Sequence, residues 1–315
     1  MMRRVDERRM KVVSLFGTGE DEKMVHGRKG LFVVIDGLDG SGKGVIQDAV
    51  AEQCKITGLR VLDLNEFWKN SRTHPIFTSD KDPRYYVDMS LYDVVLTSEP
   101  TYCGIGKMIR DEFIKTGSDY TATETAAAYG LDREILHRKV LFPLLDEGKI
   151  IVQSRNVVSS LVYQPVQAEE RRESLTREDV VSIHGNNYCL ENGPNLVVIP
   201  VIQDPSGLME RLKGRKKKDD SCFERLEFQM KLNPHYQSNA LRELLEGYGS
   251  KVGYVDASQT EVVTIRETLG LLKKEYGEMF GLSYVDVSRR AEQIWDTFER
   301  ERIRKLKSVI EFPHK

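Results

Sequence analysis

Long apolar runs are missing from this 315-residue chain. No stretch approaches the roughly 20 consecutive apolar residues that a membrane-crossing helix needs, and the charged segment 1–11 has no apolar stretch behind it to act as an export signal. Neither a membrane nor secretion is expected. Cysteine is scarce as well: Cys54, Cys103, Cys189 and Cys222 stand far apart with no CxxC pair, and the six histidines fall in no ligand spacing such as HExxH. Four reduced thiols in a cytoplasmic protein are expected, and a structural zinc is not. An excess of one charge is also lacking, since 47 Lys and Arg face 49 Asp and Glu for a formal net charge of -2. The electrostatic footprint of a binder of nucleic acid polymers is therefore absent, and any anion site must be local. With 24 Gly and 10 Pro, collagen-like and low-complexity readings fall away too.

What is present is an alternation of short buried strands with amphipathic helices. The segment 30–43 reads GLFVVIDGLDGSGK, an apolar β-branched run ending in a glycine cluster, and 45–54 follows with helical spacing of Val45, Ile46, Ala49 and Val50. Further strands are predicted at 59–64, 93–97, 149–153, 195–202 and 251–255, several apolar on successive residues as strands covered on both faces are. Helices are predicted at 105–114, 123–145, 206–213, 223–231 and 262–276. This order predicts an α/β fold with a doubly wound, mainly parallel sheet flanked by helices. Three stretches stand apart: an N-terminal arm at 1–29, an inserted excursion at 65–92, and a C-terminal amphipathic helix within 281–315 that opens on Ser283-x-x-Asp286 and sets Val287, Ala291, Ile294, Trp295, Phe298 and Leu306 near one face.

Gly37-Leu38-Asp39-Gly40-Ser41-Gly42-Lys43 satisfies the GxxxxGK pattern in its required context, after a buried strand and before a helix. Glycines let successive backbone N–H groups turn toward phosphate oxygens, the helix N-terminus adds partial positive charge, and Lys43 neutralises the β- and γ-phosphates. A glycine-rich turn with an exposed lysine is the bland alternative. Gly44 occupies the place where a Ser or Thr hydroxyl meets Mg²⁺.

Further motifs follow in order: Leu96-Thr-Ser-Glu-Pro-Thr101, Gly104-Ile-Gly-Lys-Met-Ile-Arg110, Tyr129-Gly-Leu-Asp-Arg133 and Ser154-Arg-Asn-Val-Val-Ser-Ser160-Leu-Val-Tyr163-Gln164. Together with the phosphate loop they resemble the thymidylate kinase family, as a divergent member. The resemblance covers about residues 30–280 and implies a P-loop NTPase-type sheet, a mobile basic lid, ATP and Mg²⁺ as cofactors, and phosphoryl transfer to a nucleoside monophosphate, dTMP first. It also implies a homodimer. Arg110 and Arg133 match arginines that hold the acceptor phosphate, and Arg155 matches the arginine of an Asp-Arg-aromatic motif. With Lys43 they form the expected catalytic set, since planar guanidiniums bring two phosphate chains together against their repulsion. Tyr129 matches the aromatic that stacks on the pyrimidine, and Ser160 and Tyr163 match positions beside the thymine edge and the sugar. Asp39 and Glu99 match carboxylates near the acceptor and the metal. The lid falls at 211–225, where seven basic residues, among them Arg211, Arg215, Lys216 and Lys217, face three acidic ones, 7 - 3 = +4.

The largest departure is Ser154, where the family carries an aspartate. Two rivals stay open: a kinase for another nucleoside monophosphate or a deoxynucleoside, and a nucleotide-binding pseudoenzyme that has lost its metal site.

Overall fold

β1 (Leu31–Ile35) sits at the centre of the sheet and sends alternate side chains to its two faces. Leu31, Val33 and Ile35 enter one buried cluster, and Phe32 and Val34 enter another. The structure is a computed structural model that describes residues 27–77, 82, 84–208, 211 and 221–311. From β1 the chain runs through the glycine loop into α1 (Lys43–Ile56), then β2 (Val61–Asp63), α2 (Leu64–Ser71) and β3 (Val94–Ser98). A short α3 (Gly104–Met108) widens into a π-helical turn at Ile109–Phe113. Next come α4 (Ala122–Leu136), a second π-turn at His137–Leu141, α5 (Phe142–Asp146) and β4 (Ile150–Ser154). The helix expected at 123–145 is thus interrupted, and Pro143, which has no N–H to bond back along the helix, stands next to the interruption.

After β4 follow α6 (Val157–Arg171), α7 (Arg177–Ser182), α8 (His184–Glu191) and β5 (Leu196–Val201). The chain continues with α9 (Leu226–Tyr236), α10 (Asn239–Gly247), β6 (Lys251–Asp256), α11 (Glu261–Tyr276) and α12 (Val287–Glu311). The six strands form one parallel sheet in the order β2-β3-β4-β1-β5-β6. Every strand expected from the sequence is present. The order reverses direction around β1, with β4 on one side and β5 on the other, and ligands of open parallel sheets lie beyond the carboxyl ends of strands at such a switch point.

Two of the outlying stretches join the body: the insertion more tightly than the sequence suggested, and the C-terminal helix by packing on the core, one of the two outcomes expected of it. In 65–92, α2 drives Leu64 and Trp68 fully into the core beneath β3, and Asn65 Oδ1 accepts a 2.6 Å hydrogen bond from Ser98. This part is therefore structural wall rather than excursion. α12 lies on α11 and α1, burying Ala291 and Ile294, while Arg290 reaches Gln53 of α1 at 2.7 Å. Its cap is Asp286, which accepts from the N–H of Ser288, and not Ser283. Residues 1–26 of the arm lie outside the described residues, as do Arg215, Lys216 and Lys217 of the expected lid and the side chain of Leu306. All four cysteines are free thiols. Among the described residues no helix is long and apolar enough to cross a membrane.

Candidate functional site

Asp36, the residue after β1, is the hub of the site and is completely buried. One carboxylate oxygen accepts from Gly37 N–H, Ser159 hydroxyl and Tyr236 hydroxyl at 2.7–2.8 Å, and the other accepts from the N–H groups of Asn156 and Ser159 at 2.9 and 3.0 Å. A buried carboxylate needs such donors. Their effect is to tie the entry of the phosphate loop to the start of α6 and to α9.

The loop itself closes on Lys43, whose ammonium donates to the carbonyls of Gly37 (2.9 Å) and Leu38 (2.5 Å). Lys43 is 7% exposed and helps to shape the loop before any nucleotide is bound. Asp39 is held from the far end of the chain. Its N–H donates to Gln229 Oε1 at 2.8 Å, while Gln229 Nε2 returns a bond to its carboxylate at 3.1 Å.

Arg155 follows β4 with a left-handed φ of 66°, unusual for a residue with a side chain. The turn aims its guanidinium over the loop, where it pairs with Asp39 and donates to Ser159 Oγ at 2.9 Å. Tyr163, two turns along from Arg155, donates to Asp39 at 3.2 Å. Its ring stands edge-on to Phe223 at 5.4 Å. The tyrosine hydroxyl is thus spent on the loop, and the ring is what remains to wall the cleft.

Arg133 lies deeper. It is 1% exposed and donates to Glu99 (2.7 Å), Ser160 (3.1 Å) and Asn186. Glu99 also accepts from Gln153 at 2.9 Å, and burial pushes its carboxyl up to about 7 against the pull of Arg133, with Asp132 adding to the rise. Asn186 reaches Arg133 because α8 crosses α4 at a pair of glycines: a Cβ on Gly185 would stand 2.1 Å from the carbonyl oxygen of Gly130. Tyr129, half-buried on α4, stands one turn before Arg133. Arg110 rides on the π-turn after α3, with its guanidinium 4.0 Å over the Tyr102 ring and Nε 3.1 Å from the Pro100 carbonyl. Arg211 donates to the carbonyl of Ala257, beyond β6, at 2.8 Å.

These groups share one cleft of about 1050 Å³, running from the loop Gly40–Gly44 past Arg155 to Tyr129 and Arg133, with Arg211 and Ala257 on its other wall. All the expected residues from Asp39 to Gly44, and Glu99, Arg110, Tyr129, Arg133, Arg155, Ser160 and Tyr163, line it. From the sequence, Asp36, Gln229 and Asn186 were not singled out, and Gln164 stood only as the last residue of a motif with no role of its own. Gln164 lines the same cleft, is 1% exposed, and its Oε1 has no hydrogen-bond partner among the described residues.

A family model described as thymidylate kinase matches residues 84–262, more than half of the chain, though not the phosphate loop. The chain belongs to the thymidylate kinase family. Similar proteins include a probable thymidylate kinase from Thermococcus onnurineus, 28% identical over 67% of this chain and 85% of its own length. One from Thermococcus gammatolerans is 25% identical over 78% and 97%. Another, from Pyrococcus horikoshii, is 29% identical over 43% of this chain; here, and with Pyrococcus abyssi, the chain spans about half the length of the curated relative it matches, 52%. A solved structure of thymidylate kinase from Candida albicans covers 80% of this chain and 94% of its own at a TM-score of 0.50 and 17% identity, a likeness of fold. These identities make the chain a divergent member of its family.

The donor set offers little to a magnesium ion. Asp39 and Glu99 are each bound to an arginine, Gly44 has no side chain, and Ser154 supplies one neutral hydroxyl. Among the described residues no group of three or more His, Cys, Asp or Glu is placed to hold a metal. These residues make no preformed protein cage for a hard divalent cation, and a Mg²⁺ held here would draw on phosphate and water oxygens.

Proposed function

We propose that this chain transfers the γ-phosphoryl group of ATP to a pyrimidine nucleoside monophosphate, with dTMP as the preferred acceptor. The observation that carries this reading is that one cleft is lined by both a phosphate loop and a buried Gln164 whose Oε1 has no partner among the described residues, with Tyr129 and Ser160 in the same lining. A buried acceptor without a donor is costly, so a ligand N–H is its natural partner, and the ring N–H of thymine or uracil supplies one. The wall formed by the Tyr163 ring favours an acceptor without a ribose 2′-hydroxyl.

In this reading the loop N–H groups and Lys43 cradle the donor phosphates. Arg155 and Arg110 border the gap where donor and acceptor phosphates meet, and fixed guanidiniums there stabilise charge as it moves in line from one to the other. Arg133, saturated by Glu99, Ser160 and Asn186, shapes the acceptor end. Asp39 keeps Arg155 on station. Mg²⁺ arriving with ATP would supply neutralisation of phosphate charge. Arg211, held to the Ala257 carbonyl, borders the same cleft. A homodimer belongs to the same proposal, and analytical ultracentrifugation measures it.

A panel of monophosphates assayed with ATP and Mg²⁺ tests the reading. Turnover of dTMP should exceed that of UMP, and Gln164→Leu should raise the KM for dTMP by about 1–3 kcal/mol equivalent, the cost of one lost buried hydrogen bond. Equal rates with dTMP and UMP contradict the thymidylate assignment, and ATP binding with no turnover of any acceptor favours a scaffold.

A further inference from the structure

The two carboxylates matched to the metal are held by the chain's own arginines, and the oxygen left in the loop itself is a neutral hydroxyl, Ser41 Oγ, which has no hydrogen-bond partner among the described residues. Gly44 stands where a phosphate-loop hydroxyl meets the nucleotide's metal. A Cβ there would meet nothing within 4 Å, so room for a side chain exists and is left unfilled. Asp39, inside the loop, is bound by Arg155, Tyr163 and Gln229. Glu99 is bound by Arg133 and Gln153. Ser154, at the end of β4, borders the cleft with a neutral hydroxyl. A hard divalent cation seeks several anionic or carbonyl oxygens, and none of these positions offers a carboxylate without an arginine on it.

Positive charge, by contrast, is supplied by protein. Lys43, Arg110, Arg155 and Arg211 line the cleft. These groups attract the fully ionised triphosphate more strongly than a triphosphate half neutralised by a metal. Whatever affinity a metal adds elsewhere through a direct bond to the loop hydroxyl is missing here.

We propose that this phosphate loop binds free ATP and its magnesium complex with similar affinity, making no direct bond to the metal, and that Gly44 is the residue responsible. The proposal rests on the ATP-binding part of the function above and concerns binding, not the need of the chemical step for Mg²⁺.

Titration calorimetry of the full chain with ATP in EDTA, and again in excess MgCl₂, should give dissociation constants within about threefold of each other, a difference well under 1.4 kcal/mol. The exchange-inert tetraammine cobalt(III) complex of ATP, whose ammines no protein ligand displaces, should bind like MgATP. Gly44→Ser has open space for its side chain and a better helix former than glycine, and should create a preference for MgATP over free ATP of about tenfold. Tighter binding of MgATP by tenfold or more in the unmutated protein overturns the proposal, as does weak binding of the cobalt complex beside tight binding of MgATP. A Gly44→Ser protein that stays indifferent to Mg²⁺ overturns the role given to Gly44. Failure to bind ATP in either form overturns the phosphate-loop reading itself, and this proposal with it, which separates that failure from a merely metal-dependent one.

Discussion

At the acceptor end of the cleft, Glu99, Ser160 and Asn186 close around Arg133 and leave its guanidinium 1% exposed, whereas at the phosphate end Gly44 leaves space unfilled beside a loop pinned by Lys43, Asp36 and the partners of Asp39. One end is a saturated network, in which every charge has its partner before any ligand arrives. The other is a glycine-rich loop that keeps open space beside its lysine. The difference teaches where each end is vulnerable: the acceptor end should fail through stability, the phosphate end through chemistry.

The largest effect expected from that contrast is on folding. Arg133→Met leaves Glu99 buried with Gln153 alone, and removal of one partner of a buried ion pair costs about 3–5 kcal/mol. Replacing both partners, as Arg133→Met with Glu99→Leu, should recover much of that loss, because two apolar groups strand no charge. Urea unfolding of the two single variants and the double variant measures the coupling. If the single variants unfold like the unmutated protein, the acceptor end is not the saturated network described.

At the phosphate end, Lys43→Ala should lower kcat by about 10²–10³, the usual yield of one preorganised electrostatic group. Stability should fall less than for Arg133→Met, since the lost contacts are two carbonyl hydrogen bonds at the edge of a cleft that water can enter. Retention of most of the activity sinks the phosphate-loop role. A collapse in Tm equal to that of Arg133→Met would erase the contrast between the two ends.

The two ends also differ in how far their sequence is readable. The phosphate loop is a contiguous pattern whose geometry follows from glycine and a flanking strand and helix, and all six strands were legible because burial on both faces leaves apolar runs. The acceptor end is assembled from a distance. Asn186 acts 53 residues from Arg133, and even the contiguous loop takes one distant partner, Gln229, 190 residues from Asp39. An amide carries no periodic signal and no charge to mark it, so neither could be singled out before the chain was folded. Likewise α2 looked like an excursion because its aromatic and charged mixture hides that Trp68 is fully buried. The short α7 and α8 have too few turns for periodicity to show, and the meaning of Gly185 lies in a helix crossing rather than in its neighbours.

The smallest effect, and the one whose sign is most informative, concerns pH. Glu99 is raised from an ordinary 4.5 to about 7 by burial. The folded state therefore holds a proton that the unfolded state releases between those values, and its contribution to stability is fully present below pH 4.5 and lost as pH rises through 7. His137 behaves in the opposite way. It is buried behind α4 between the rings of Phe32 and Phe142, its Nδ1 has no partner among the described residues, and burial first, then Arg133 and Arg28, lowers it from 6.5 to about 3. Its contribution is present above pH 6.5 and is lost as pH falls toward 3. Between pH 6.5 and 5 the two groups oppose each other, so the unmutated protein should change less than either group alone requires. His137→Phe keeps the edge-to-face packing and removes the acid-sensitive group; relative to the unmutated protein it should gain up to about 2 kcal/mol on acidification from pH 6.5 to 5. Glu99→Gln should move the other way, losing stability over the same range as the opposing term disappears. Chemical denaturation at pH 5, 6 and 7 reads both slopes. Parallel pH profiles for all three proteins would mean that neither group changes its proton affinity on folding, and the acceptor end would then be wetter than its contacts show.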